Sequence, residues 1–127
     1  MKKVSVLIVD DSAVMRKIVE RSLRQAGIEL DKVLEADSGA TALTVIQQNV
    51  PDMIFSDVNM PTMDGIEFIR QLKGVESAKS VPVVMITTEG SQTRVMEALS
   101  LGAQGYIRKP FTPDQVRAQV VPLLEGK

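Results

Sequence analysis

Four polar positions in this 127-residue chain each sit at or just past the end of a short apolar run. Asp10-Asp11 follows VSVLIV, Asp57 follows MIFS, Thr87 closes PVVMIT, and Lys109 follows YIR. Three carboxylates, a hydroxyl and an ammonium are what phosphoryl transfer onto a protein side chain requires, provided they meet. An Asp carboxylate can attack phosphorus and become an aspartyl phosphate. A metal ion and an ammonium can neutralise charge on the transferred group, while a hydroxyl holds another of its oxygens. Alone, an adjacent Asp pair is usually a loop or cap feature, so convergence is what gives these residues meaning. Two unit charges about 4 Å apart repel by about 4 kcal/mol at an effective dielectric near 20. A cluster of three carboxylates therefore needs a counter-cation or protons. Lys109 supplies one positive charge, and the remainder is best met by a hard divalent ion with oxygen ligands, for which Mg²⁺ is suited. No Gly-rich loop of nucleotide-cradling type is present, so the phosphate must arrive on another molecule.

The apolar runs supply the reason to expect convergence. Runs of this length, rich in Val and Ile and separated by helix-like stretches, read as buried parallel strands. In an open parallel α/β sheet, ligands bind beyond the carboxyl ends of the strands, where the strand order reverses. The pattern predicts five strand–helix units forming one doubly wound domain over residues 1–127. Predicted strands cover Val4–Val9, Lys32–Ala36, Met53–Ser56, Val83–Thr87 and Tyr106–Ile107. The first helix begins near Ser12, places Met15, Ile18, Val19, Ser22, Leu23 and Ala26 on its inward face, and ends at Gly27. The second starts near Ser38, with Leu43, Ile46 and Val50 inward, and stops before Pro51. The third buries Ile66, Ile69 and Leu72; the fourth spans Thr93–Leu101 and closes at Gly102. Thr112-Pro113-Asp114-Gln115 reads as a capping box with proline at the first helical position. Val116, Val120 and Leu123 form an inward stripe in that last helix, but Pro122 interrupts it. A helix that bends, or ends near Val121, is expected.

Composition narrows the function classes. The chain is 44% hydrophobic with a net charge of −1. No run approaches the roughly 18 apolar residues of a membrane span, and MKKVSVLIVDD is too short and acidic for a signal peptide. Membrane insertion is not expected, and the chain is read as cytoplasmic. Cysteine and histidine are both absent, which removes thiolate and zinc-thiolate chemistry, phosphohistidine formation on this chain, and Ser-His-Asp catalysis. Balanced Lys+Arg (15) and Asp+Glu (16), with few aromatic residues, give no footprint for nucleic acid.

VLIVDDS, PDMIFSDVNMPTMDG, PVVMITTEG and GAQGYIRKPF together resemble the receiver domain of two-component response regulators, above all the single-domain chemotaxis regulators of the CheY type. The resemblance spans essentially the whole chain, and four fragments in order make it specific. It implies a flavodoxin-like sheet in the order 2-1-3-4-5 with five helices. Asp57 is then the phosphoacceptor, taking its phosphoryl group from a phosphohistidine on a histidine kinase, of the CheA type if the pathway is chemotaxis. Asp11 ligates Mg²⁺ directly and Asp10 largely through water, with Asp57 and the backbone carbonyl of Asn59 completing the protein ligands. Lys109 pairs with Asp57 and then with the phosphoryl oxygens, and Lys109-Pro110 is a candidate cis peptide. Thr87 and Tyr106 are the switch residues: Thr87 closes on the phosphoryl group, and Tyr106 changes rotamer. Without the family pattern, Tyr106 reads equally as a strand residue with an exposed hydroxyl. Asn59 and Glu89 stand where chemotaxis-type regulators tune self-dephosphorylation, or are ordinary polar loop residues. Thr88 departs from the alanine common in the family. The implied output is a protein contact, such as a flagellar motor switch protein, with a phosphatase as a further partner; no residues after Lys127 are expected to carry an effector domain.

Enzymatic turnover is not expected beyond self-catalysed phosphotransfer and autodephosphorylation. A stand-alone phosphorelay or non-chemotaxis regulator is the alternative pathway. A haloacid-dehalogenase-like phosphohydrolase is the remote alternative, since it needs Asp-x-Asp after its first strand and the pair here is Asp-Asp. Asp37, Asp52 and Asp64 read as edge, pre-strand and cap residues outside the crevice, and Met60 and Met63 as loop packing.

Overall fold

Successive residues of each strand alternate between two buried surfaces, and this alternation organises the molecule. The computed structural model describes residues 3–58, 63, 65–87 and 92–125. Its strands are β1 (Val4–Val9), β2 (Leu30–Ala36), β3 (Met53–Asp57), β4 (Val83–Thr87) and β5 (Gly105–Arg108), and the helices that follow them are α1 (Ala13–Gln25), α2 (Gly39–Gln48), α3 (Gly65–Leu72), α4 (Gln92–Ser100) and α5 (Pro113–Glu125). All neighbouring strands are parallel, in the order β2-β1-β3-β4-β5. This is the single doubly wound, flavodoxin-like domain expected from the sequence. Val6, Ile8, Phe55, Val84, Ile86 and Ile107 point into one core with Val19, Leu23, Val116 and Val120 of α1 and α5. Leu7, Val9, Ile54, Val83 and Met85 point the other way, into a core closed by Ile46, Ile66, Phe68, Ile69 and Ala98 of α2, α3 and α4. Because both faces are covered, the strands read as unbroken apolar runs rather than as alternating ones.

The helix boundaries have local chemical causes. Ser12 accepts from the Met15 N–H at 3.2 Å and caps α1, and Ser38 accepts from the Thr41 N–H at 3.1 Å and caps α2. Gly27 and Gly102 adopt φ of +86° and +115° and end α1 and α4 in the left-handed region. The capping box on α5 is complete: Thr112 N–H donates to Gln115 Oε1 at 2.9 Å, and Gln115 N–H donates to Thr112 Oγ1 at 3.2 Å. Thr112→Ala removes the side-chain acceptor. Its expected cost is about 1 kcal/mol, read as a lower thermal midpoint with unchanged phosphoryl uptake.

Two expectations about packing are corrected. Ile18 is 44% exposed rather than inward; it lies roughly 90° around α1 from the centre of the stripe formed by Val19, Ser22, Leu23 and Ala26, at ~100° per residue. Val50 is exposed and lies beyond α2, because the residue before Pro51 is disfavoured in helical geometry. Of the two courses expected for the last helix, a bend or an end near Val121, the second does not occur: α5 runs through Pro122 to Glu125. Leu123 and Leu124 pack against the α1–α5 core, and that apolar burial outweighs the backbone donor lost at Pro122.

Candidate functional site

The side-chain row that builds the α1–α5 core continues past the strand ends and becomes polar there. Ile8 and Phe55 face one another across β1 and β3 in register, as do Val9 and Ser56. One step further along the same parallel register places Asp10 beside Asp57, on the side of the sheet that carries Ile8 and Phe55. Asp57 pairs with Ile86 of β4, Ile86 with Ile107 of β5, and Lys109 follows Ile107 at the two-residue period of a strand. Asp10, Asp57 and Lys109 therefore close the same row, at the crevice between β1 and β3 where the strand order reverses. The Lys109 N–H donates to the Thr87 carbonyl at 2.6 Å, tying the end of β4 to the β5–α5 loop. The Lys109-Pro110 peptide is cis.

Lys109 Nζ stands 3.6 Å from Asp10 Oδ2 and 3.6 Å from Asp57 Oδ2. One oxygen from each of Asp10, Asp11 and Asp57 lies within 4.8 Å of the others. Asp10 and Asp57 are buried, at 2% and 7% exposure, as is Thr87, whereas Asp11 is open to solvent. The acids, the threonine and the lysine thus gather at one rim. Asp10 Oδ1 accepts from the Ser12 N–H at 2.9 Å. Asp10 Oδ2, by contrast, is buried without a hydrogen-bond donor among the described residues. Burial raises the Asp10 pKa above the ordinary carboxylate value; the Ser12 N–H and the Lys109 charge oppose that rise, and the Asp11 charge adds to it. A buried carboxylate oxygen lacking a donor, in a three-acid cluster with one side open to water, fits a hard divalent cation that keeps some of its waters. These residues suit Mg²⁺ and offer no soft ligand for zinc or copper.

The remaining expectations divide cleanly. Tyr106 is 43% exposed on β5 and lines a groove with Arg108, Gln115 and Gln119, so this structure holds its outward position. Asp37 accepts from the Thr41 hydroxyl at 3.0 Å and Asp52 from the Ser5 N–H at 2.9 Å, and neither belongs to the acid cluster. Met63 packs against the α2–α4 core, as loop packing requires. Asn59, Met60, Asp64, Thr88 and Glu89 lie outside the described residues.

Sequence reading missed two contributors. Gly65 opens α3 so close to β3 that a Cβ there would overlap the Asp57 carbonyl oxygen and lie 2.7 Å from Met85 Cε. Its N–H donates to the Val58 carbonyl at 3.0 Å. In the sequence Gly65 is one residue of a loop, and only the helix–strand contact reveals its role. Arg16 is the second: it binds Glu35 at 2.8 Å and the Asp10 carbonyl at 2.6 Å. The hydrogen bond from Arg16 holds the Glu35 carboxyl below the ordinary range against the cost of burial, with Lys17 adding to the lowering.

A profile of the response regulator receiver domain matches residues 6–121. The chain belongs to the response regulator receiver family. Chemotaxis protein CheY-3 of Vibrio cholerae is 38% identical to it over 124 residues, covering 98% of this chain and 94% of that protein. Chemotaxis protein CheY of Pseudomonas aeruginosa is 37% identical over 120 residues, covering 94% and 95%. The crystal structure of chemotaxis protein CheY4 of Vibrio cholerae matches with a TM-score of 0.83 at 37% identity, covering 96% of this chain and 99% of that one. The receiver is a phosphoacceptor signalling protein of a two-component system, in a family of signalling proteins rather than enzymes. Among its described residues, no helix is long and apolar enough to cross a membrane.

The acid cluster makes the receiver's stability depend on pH in a defined direction. Asp10 binds its proton more tightly in the folded than in the unfolded chain. Metal-free stability therefore falls as pH rises from the unfolded carboxylate value through the raised folded one. Asp10→Asn removes the desolvated charge. It is expected to stabilise the metal-free receiver at neutral pH by roughly 1 kcal/mol while weakening its hold on divalent cations. Thermal melts with and without Mg²⁺ check both effects.

Proposed function

We propose that Asp57 is the residue phosphorylated, and that Mg²⁺ is held by Asp10, Asp11, Asp57 and the backbone carbonyl of Asn59. The observation that carries this reading is the placing of Lys109 Nζ 3.6 Å from both Asp10 and Asp57, beside an acid oxygen buried without a donor among the described residues. In the transfer, Asp57 Oδ forms a bond to phosphorus as the P–N bond of a kinase phosphohistidine breaks, and the imidazole leaves. Bound Mg²⁺ supplies charge neutralisation for the phosphoryl oxygens. Lys109 gives up its contact with the Asp57 carboxylate and takes a phosphoryl oxygen, so its positive charge stays paired. Thr87, on the strand end tied to Lys109, donates its hydroxyl to another phosphoryl oxygen. Hydrolysis of the acyl phosphate by water, tuned by Asn59 and Glu89, returns the carboxylate and inorganic phosphate. No separate substrate is turned over.

Phosphorylation adds about −1.5 to −2 charges near neutral pH. Drawing Thr87 toward that charge frees room behind β4 for Tyr106 to turn inward, which alters the surface of α4, β5 and α5. We read the receiver as one domain over residues 1–127, working in the cytoplasm through protein contacts. Identity of 37–38% to three chemotaxis proteins supports chemotaxis as the pathway. That pathway implies a CheA-type kinase as donor, a flagellar motor switch protein as target, and a phosphatase as a further partner.

The test is labelling with acetyl phosphate and Mg²⁺, followed by intact mass. Uptake that stops at one phosphoryl group per chain, and that is lost when a chelator removes Mg²⁺, supports the reading. Continuous turnover of a small phosphate monoester, without a stoichiometric plateau, contradicts it.

A further inference from the structure

The backbone of Asp10 is held on both sides by the edge of the sheet. Its N–H donates to the Ala36 carbonyl of β2 at 3.0 Å. Its carbonyl accepts from Arg16 Nη1 at 2.6 Å, and Arg16 Nε in turn donates to Oε1 of Glu35, one residue before Ala36, at 2.8 Å. The Arg16 side chain is only 16% exposed, and Lys17 Nζ approaches the other Glu35 oxygen at 3.4 Å. Phosphoryl transfer as derived above uses neither Arg16 nor Glu35.

We propose that Arg16, oriented by Glu35, is a positioning residue for the metal site. The Asp10 carbonyl and the Asp11 N–H share one planar peptide unit. Locking that carbonyl therefore fixes the rotation between the two Cα atoms that carry the adjacent carboxylates, and with it the spacing at which both reach one cation. Arginine suits this place because its planar fork serves two acceptors in fixed directions, with Nε on the carboxylate and Nη1 on the carbonyl; a lysine ammonium at the end of a flexible stem does not reproduce both. Charge alone points the other way. Arg16 is a cation beside a cation site, so a purely Coulombic role makes its removal favour metal binding and makes a lysine in its place neutral.

The inference rests on the metal reading above, and the two fail separately. Mn²⁺ serves as the probe, with free ion counted by electron paramagnetic resonance on the full chain, and melting by circular dichroism followed alongside. Arg16→Ala is expected to weaken Mn²⁺ binding by roughly tenfold despite the loss of a positive charge, and Arg16→Lys to weaken it less but in the same direction. The loss persists at high salt, where a long-range charge effect is screened. If Arg16→Ala fails to fold, Arg16→Lys decides. Variants that bind Mn²⁺ as tightly as the parent, or more tightly, overturn the positioning role. A parent that binds no Mn²⁺ overturns the metal reading instead.

Discussion

Asp57→Asn is expected to take up no phosphoryl group from acetyl phosphate and Mg²⁺, under conditions in which the parent reaches one per chain. In the proposed transfer the Asp57 carboxylate oxygen is the nucleophile, and an amide offers neither its charge nor a route to a stable acyl phosphate. Asp10 is the nearest rival, but its Oδ1 is held by the Ser12 N–H at 2.9 Å and burial favours its protonated, non-nucleophilic form. Asp11, open to solvent, lacks the lysine contact that Asp57 has. The variant also removes one of three clustered negative charges, so metal-free stability should hold or rise. Loss of label together with an unchanged or higher thermal midpoint separates lost chemistry from lost fold. Labelling of Asp57→Asn at the parental rate would show that another carboxylate is the acceptor.

Gly65→Ala carries the largest expected structural effect. The added methyl group would overlap the Asp57 carbonyl oxygen, sit 2.7 Å from Met85 Cε and come within 3.1 Å of Val58 Cα. Met85 can turn aside, but two of the three neighbours are backbone of the strand end that carries Asp57. Relief requires α3 to back away from β3, which loosens the Gly65–Val58 hydrogen bond and the packing of Ile66 and Ile69. Overpacking of this kind costs about 3 kcal/mol, or roughly 10 °C in thermal midpoint for a domain of this size. The same shift moves Asp57 against Asp10 and Lys109, and displacement of a reacting group by about 1 Å can cost on the order of 100-fold in rate. Initial phosphorylation rates measured well below the lowered midpoint isolate that second effect. A variant that melts with the parent and labels at its rate would mean that α3 and β3 do not meet as closely as described.

How much of this site is legible without coordinates depends on the range of the forces involved. Asp10, Asp57, Thr87 and Lys109 announce themselves because each ends an apolar strand, and strand ends in a parallel sheet share one rim. Ser12, Ser38 and the Thr112–Gln115 box are equally plain, since a cap is satisfied within three residues of itself. Ile18 and Val50 were misjudged, and the course of α5 past Pro122 was left open, for a common reason. Whether an apolar side chain is buried, or a proline tolerated, depends on what a distant element presses against it, as Leu123 shows by holding the last turn of α5 on the α1–α5 core.

The order of residue types along the chain was enough to establish the class of fold, the rim at which the acids and the lysine gather and the family, because apolar periodicity and strand-end polarity are local patterns read along one dimension. The tolerance of that rim was settled by packing. Gly65 matters because a helix approaches a carbonyl oxygen within the space of one methyl group, and Arg16 because a glutamate from the edge strand turns it toward Asp10. Gly65 and Asp57 lie on consecutive elements and Arg16 and Glu35 on α1 and β2, but how closely a helix seats on a strand, and which acceptors a long side chain reaches, carry no signal in sequence until packing sets them.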